Sequence, residues 1–118
     1  MTLEEVKEIL KAEVIIGSDN LEMEVKMGCG CDLMSDVLAF IKSDSLLLTG
    51  LTSIQVIRTA EVADIAAICF VRGKKPDEET IRLAESKGLP LLVTQLPMFE
   101  SCGQLYKKGL IGCSEYEE

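Results

Sequence analysis

Leu46 to Thr94 reads strand, helix, strand, helix, strand without a break, an order that few folds accommodate. LLLTG is followed by LTSIQVIRTAEVAD, then IAAICFVRGKK, PDEETIRLAESKG and LPLLVT. Strands separated by helices pair in parallel, and their crossovers are right-handed. The expected fold is α/β: a single three-layer α/β/α domain with a mostly parallel central sheet. Each apolar run ends in small or polar residues: Thr49-Gly50, Arg72-Gly73-Lys74 and Thr94-Gln95. Sheets of this kind bind ligands at the carboxyl ends of their strands, so function is expected there.

The flanks extend the pattern. Thr2 and Glu5 have capping-box spacing, and Leu3, Val6, Ile9 and Leu10 recur at helical intervals, which predicts a helix ending near Ala12. Val14-Ile15-Ile16 reads as a short strand and Gly17 to Asn20 as a turn. Leu21 to Met27 alternates apolar with charged residues, which predicts a half-buried strand. Gly28-Cys29-Gly30-Cys31 interrupts it, and Asp32 is placed to cap a helix with Leu33, Val37, Leu38 and Ile41 toward the core. Ser35 is then its capping partner and Asp36 a first-turn acid. The other reading has Asp32, Ser35 and Asp36 line a polar pocket beside the glycines. Gly88 and Pro90 close the helix before LPLLVT, and Pro97 opens a last helix with Phe99, Cys102, Leu105 and Tyr106 on one face. One domain over residues 1–113 is expected, followed by a frayed acidic tail, 114–118.

Composition narrows the partners. The net charge of −8 argues against nucleic acid and against an anionic membrane. No apolar run approaches the roughly 20 residues a membrane helix needs, and the acidic, amphipathic start is unlike a signal peptide. A cytoplasmic location is expected, and five cysteines, an odd count, suit a reducing compartment. The chain has no histidine, which removes the commonest general base and metal ligand. No phosphate-binding Gly-x-x-x-x-Gly-Lys motif occurs, and Gly28–Gly30 lacks the third glycine of a dinucleotide fingerprint. An enzyme is therefore not expected, and no cofactor is implied.

The first candidate site is the strand-end cluster Thr49, Gly50, Thr52, Arg72, Gly73, Lys74 and Thr94, with Lys75 beside it. Glycines admit a ligand close to backbone, hydroxyls and amides donate to an anion, and helices begin at Ser53 and Asp77. A small anionic metabolite, a nucleotide among them, fits that chemistry. The plainer reading gives the glycines to turns and the basic residues to solvated surface. The second candidate is Cys29 with Cys31, at the expected start of a helix, where thiol pKa values fall; a soft metal or thiol oxidation would use them. Small turn or buried thiols are the alternative. Cys69 belongs to a core strand, Cys102 to the apolar face of the last helix, and Cys113 to the tail, away from the pair. Met23, Met27, Met34 and Met98 offer either a self-association surface or core filling.

LLLTGLTSIQVIRTAEVADIAAICFVRGKKPDEETIRLAESKGLPLLVT, the following PMFESCGQLYKKGL and the upstream DLMSDVLAF resemble the DRTGG domain family. Where relatives carry Thr-Gly-Gly after the second central strand, this chain has Val71-Arg72-Gly73-Lys74. The resemblance implies a regulatory or accessory module without catalysis of its own. Similar domains sit at the N-terminus of HPr kinase/phosphatase and of phosphotransacetylase. Another lies between the CBS domains of some pyrophosphatases and contributes to dimerisation. Small stand-alone members occur near iron hydrogenase components. The resemblance thus implies a homodimer and, as an alternative to ligand binding, docking to a redox-enzyme subunit.

Overall fold

SLLLT decides the layering. In the computed structural model, which describes residues 1–117, this segment is strand β3 (Ser45–Thr49), buried at every position. Leu46 and Leu48 enter one core, and Leu47, between them, enters the other. The neighbouring strand β4 (Ala67–Phe70) alternates likewise, with Cys69 in the first core and Ile68 and Phe70 in the second. A strand that is apolar on both faces must be covered on both.

The cover comes from five helices. Helices α2 (Met34–Phe40), α3 (Ile54–Ala63) and α4 (Glu78–Ser86) contribute Val37, Val56, Ile57, Ala60 and Ala84 to the second core. Helices α1 (Leu3–Leu10) and α5 (Met98–Lys107) contribute Leu3, Val6, Leu10 and Leu105 to the first. The sheet is completed by β1 (Glu13–Ile16), β2 (Met27–Gly30) and β5 (Leu91–Val93), in the order β1-β5-β4-β3-β2. All pairs are parallel except β1 with β5. This is the α/β/α architecture expected. Every parallel connection moves one strand over in the same direction, so no crevice opens at a reversal of strand order.

The capping box of α1 forms as its spacing predicts: Glu5 N donates to Thr2 Oγ1 at 3.2 Å and Thr2 N to Glu5 Oε1 at 3.0 Å. The second strand differs from expectation. Leu21 to Lys26 is not a sheet strand; pairing starts at Met27 and runs through Gly28-Cys29-Gly30. The alternation of Leu21, Met23 and Val25 serves α1 instead. Leu3 N donates to Met23 O, Glu4 N to Leu21 O and Val25 N to Met1 O, so the segment satisfies first-turn amides of the helix. The glycines belong in β2 because α5 and the chain after it press on that strand. A Cβ at Gly30 would lie 2.6 Å from Cys102 Sγ, and one at Gly28 would lie 3.0 Å from Leu110.

The chain after α5 also departs from a frayed tail. It folds back along β2, where Gly28 N donates to Ile111 O at 2.8 Å and Gly28 bridges Gly112. Lys42 Nζ donates to Tyr116 O at 2.8 Å, and Tyr106 Oη to Glu115 at 3.1 Å. These bonds hold the segment as far as Tyr116. Of the expected tail, Glu118 lies outside the described residues. No helix among the described residues is long and apolar enough to cross a membrane.

Two outcomes test this packing. Phe70 is fully buried in the second core, so Phe70→Ala removes about 3–5 kcal/mol. The urea midpoint should drop accordingly with an unchanged m-value. Burial also pushes the Cys69 thiol up to about 12, whereas an unfolded thiol titrates near about 8.5. Between those values the unfolded chain releases a proton that the native state keeps. Stability therefore falls as pH rises, by about 1.4 kcal/mol per unit from this group. Cys69→Val should flatten the fall between about pH 9 and pH 11, measured by urea titration; an unchanged slope would mean that the native thiol ionises freely.

Candidate functional site

Because β2, β3, β4 and β5 are parallel, their carboxyl ends share one side of the sheet. Thr49 and Gly50 end β3. The Thr49 hydroxyl donates to Asp32 Oδ1 at 2.8 Å, and the Gly50 amide donates to the same oxygen at 2.8 Å. Thr49 Oγ1 also accepts from Leu51 N at 3.2 Å. Asp32 therefore does not cap α2: the N-cap is Leu33, without a side-chain bond, and Ser35 has no capping partner in Asp32. Asp36 keeps its first-turn place. Two donors in fixed geometry outcompete a helix end for one carboxylate.

Lys74 completes the cluster. A Cβ built at Gly50 would stand 3.7 Å from Asp32 Oδ2 and 3.9 Å from Lys74 Nζ, so cation and carboxylate flank the same glycine. Thr52 follows in the half-buried loop, and then α3 begins. Ser53 is its N-cap but makes no side-chain hydrogen bond to it. The other expected helix start is closed: Asp77 Oδ1 accepts from Thr80 N at 2.9 Å, which holds its carboxyl below the usual range. Of the two helix ends, α3 presents amides without a side-chain cap.

Val71-Arg72-Gly73-Lys74 is a tight turn with two left-handed residues, Arg72 at φ 60° and Gly73 at φ 68°. Arg72 N donates to Leu96 O and Gly73 N to Thr94 O, so the turn is stitched to the chain after β5. Gly73 admits no side chain, since the Gln95 amide lies 2.6 Å from where a Cβ would be. Arg72 is exposed, and neither it nor Lys74 pairs with a carboxylate within 4.0 Å among the described residues. Lys75 is paired, to Glu13 at 3.3 Å. Thr94 is buried, and its hydroxyl donates to Leu10 O at 2.8 Å and accepts from Leu96 N at 3.2 Å. It anchors α1 to β5. Thus Thr49, Gly50 and Lys74 come together with Asp32, while Thr94 is already engaged elsewhere.

Cys29 and Cys31 belong to β2 and the residues after it, not to a helix start. Burial, and then the neighbouring thiols of Cys113, Cys31 and Cys102, push the Cys29 thiol up to about 11, the reverse of an activated cysteine. Cys113 is near because the chain folds back: its Sγ lies 3.5 Å from Ser45 Oγ and 3.9 Å from Gly28 O. Among the described residues no three His, Cys, Asp or Glu side chains are grouped to hold a metal ion. The methionines do not form a surface either: Met27 is fully buried, and Met23, Met34 and Met98 pack against the cores. Among the described residues, the exposed large apolar side chains are instead Leu33, Leu38 and Phe40 at and on α2, Leu51 between β3 and α3, Val62 on α3, and Phe99 and Tyr106 on α5. The last two were expected on a buried face. They border a mostly apolar cleft of about 350 Å³ between α5 and the β2 edge, floored by Leu48, Leu105 and Leu110.

No curated protein matches this chain. Among solved structures, the fold is similar to that of the CBS and DRTGG domains of the regulatory region of Clostridium perfringens pyrophosphatase, complexed with its activator diadenosine tetraphosphate. The TM-score is 0.70 at 14% identity, and the match covers 88% of this chain. It spans 45% of that chain's length. The family model of the DRTGG domain matches residues 5–106, nearly all of the sheet and its helices, and the chain therefore belongs to the DRTGG domain family.

Proposed function

We propose that the protein is a non-catalytic regulatory module that binds a small anionic ligand, a nucleotide or phosphorylated metabolite, over Thr49, Gly50, Thr52, Arg72, Gly73 and Lys74. The observation that carries the reading is the seat of Asp32. Its carboxylate rests on the Thr49 hydroxyl and the Gly50 amide, with Lys74 across the same glycine. These donors already hold an anionic oxygen, and the start of α3 beside them lacks a side-chain cap. Family membership and the nucleotide activator of the similar pyrophosphatase regulatory region support a sensing role.

Asp32 gives the mechanism. A phosphate that takes the Thr49 and Gly50 donors displaces the carboxylate. Asp32 lies just before α2, so its release frees the segment that carries Leu33, Leu38 and Phe40, which are 58%, 48% and 73% exposed. Ligand occupancy is thereby coupled to an apolar surface suited to self-association, and the module acts as a homodimer. Arg72 fits this reading too. A non-glycine residue at φ 60° is strained, and a side chain needed for binding would justify the strain. The same exposed surface favours a second reading, docking to a subunit of a redox enzyme with no small ligand.

Substitutions of opposite sign test the ligand. A thermal-shift screen of nucleotides and phosphorylated metabolites should give a hit worth about 2.7 kcal/mol at one hundred times its Kd. Lys74→Ala should weaken that hit by roughly tenfold or more, the scale of a charged hydrogen bond. Asp32→Asn should strengthen it severalfold by removing a like-charged competitor. Arg72→Gly should raise the melting temperature of the free protein while lowering affinity. Equal affinity in all three variants would refute the site, and a screen without hits would favour the docking reading.

A further inference from the structure

The cleft between α5 and β2 is a separate feature, and Gly103 marks it. Glycine inside a helix weakens it relative to alanine. Most glycines here have a local reason: Gly73 has a positive φ, and Gly28 and Gly30 sit under tight contacts. Gly103 has neither. Its φ is not positive, and a Cβ built on it meets nothing within 4 Å. It lines the cleft four residues after Phe99 and three before Tyr106, so all three share one face of α5. Those two rings are 85% and 58% exposed. Their Cα atoms lie about 10.5 Å apart along the helix axis, with the bare glycine between them. A flat ring can lie on that open glycine face between the two side chains.

The opposite wall supplies polar partners. Gly28 N donates outward to Ile111 O, and Cys31 N donates inward to Leu48 O. Strand alternation therefore turns the amide and carbonyl of Gly30 toward the open edge, above the cleft. An added peptide strand would need a run of such positions, and Gly28 is already bridged to Gly112. What the edge offers is one donor and one acceptor side by side. A cleft of about 350 Å³ suits a small molecule, since such sites run from about 300 to 1,000 Å³.

We propose that this cleft binds a flat, uncharged heteroaromatic ring, a nucleobase, stacked over Gly103 between Phe99 and Tyr106 and paired at its edge with the Gly30 backbone. The cleft adjoins the strand-end cluster along both strands: Leu48 on its floor is followed by Thr49-Gly50, and Gly30 on its wall by Cys31-Asp32. A nucleotide with its base in the cleft would carry its phosphate toward Gly50 and Lys74. Only that last step rests on the reading above; the base site stands by itself.

The test titrates adenosine, AMP and inorganic pyrophosphate into the whole protein by saturation-transfer NMR and calorimetry. Wild type should bind adenosine, and AMP more tightly. Gly103→Leu, which fills the gap, should weaken both by at least tenfold without lowering the melting temperature, and Gly103→Ala should raise that temperature by a few degrees. Should Gly103→Leu not fold, Phe99→Ala at the exposed rim should weaken adenosine severalfold instead. Lys74→Ala should bind adenosine as wild type does but lose the added affinity of AMP. No saturation transfer to adenosine, or unchanged adenosine affinity in Gly103→Leu, overturns the base site; pyrophosphate binding that Lys74→Ala still weakens would then leave the strand-end reading intact. A wild-type dimer that Gly103→Leu converts to monomer, with no adenosine bound, would make the cleft a subunit seam and also overturn the base site. Intact adenosine binding with AMP indifferent to Lys74 supports the base site and refutes the strand-end reading.

Discussion

Two-sided burial of β3 and β4 is the constraint on which the rest of this structure depends. A strand with apolar side chains on both faces is stable only between two layers, and its backbone groups must be paired by neighbours on either edge. Leu46, Leu47 and Leu48 impose the first condition; β2 and β4, pairing residue for residue with β3, meet the second. Edge strands then need protection of their own. The antiparallel β1 covers β5, and the folded-back chain at Gly112 shortens the free edge of β2. Polar work is left to the ends of the strands, where the chain emerges from the core.

Thr49 and Thr94 show how differently two equivalent ends are used. Each closes a parallel strand, each is buried, and each hydroxyl accepts from the amide two residues on. They differ in what receives the hydroxyl proton. Thr94 donates to the Leu10 carbonyl, a backbone group that no ligand displaces without unfolding the end of α1. Thr49 donates to Asp32, an exposed side chain that water or a ligand can replace. One threonine is structural and the other exchangeable, and only the third group in each network tells them apart.

That distinction also marks where sequence reasoning stops. The continuous apolar run in LLLTG and the helical spacing in LEEVKEIL are local signals, and both are realised, as β3 and α1. Alternation at Leu21 to Lys26 is equally clear, yet its carbonyls satisfy α1 rather than a sheet. Periodicity reports which side chains are buried, not which backbone partner they face. Asp32 beside a helix start matches a cap signal, and the competing donors at Thr49 and Gly50 come from another strand. The approach of Cys113 to Cys29 depends on a reversal after Leu110 that no local pattern announces. What stayed hidden in each case is a long-range pairing, and Gly28 and Gly30, which read as an interruption, are strand residues pressed by α5 and the chain after it.

Topology explains why an additional site lies at the β2 edge. In sheets whose strand order reverses, helices diverge to opposite faces and leave a crevice for the ligand. Here α2, α3 and α4 follow one another on a single face, so the strand ends are roofed only by loops. The opposite face has two helices, α1 and α5, to cover five strands. Two cylinders about 10 Å wide span roughly 20 Å, and five strands at about 4.8 Å spacing reach about the same width. Coverage is therefore marginal at the border, and it fails beside β2, where α5 presses on Gly30 at one point and stands away from the strand elsewhere. A helix that approached along its whole length would have buried Phe99 and Tyr106, as their helical spacing predicts. Contact at one glycine and separation beyond it turn a would-be core face into the wall of a cleft.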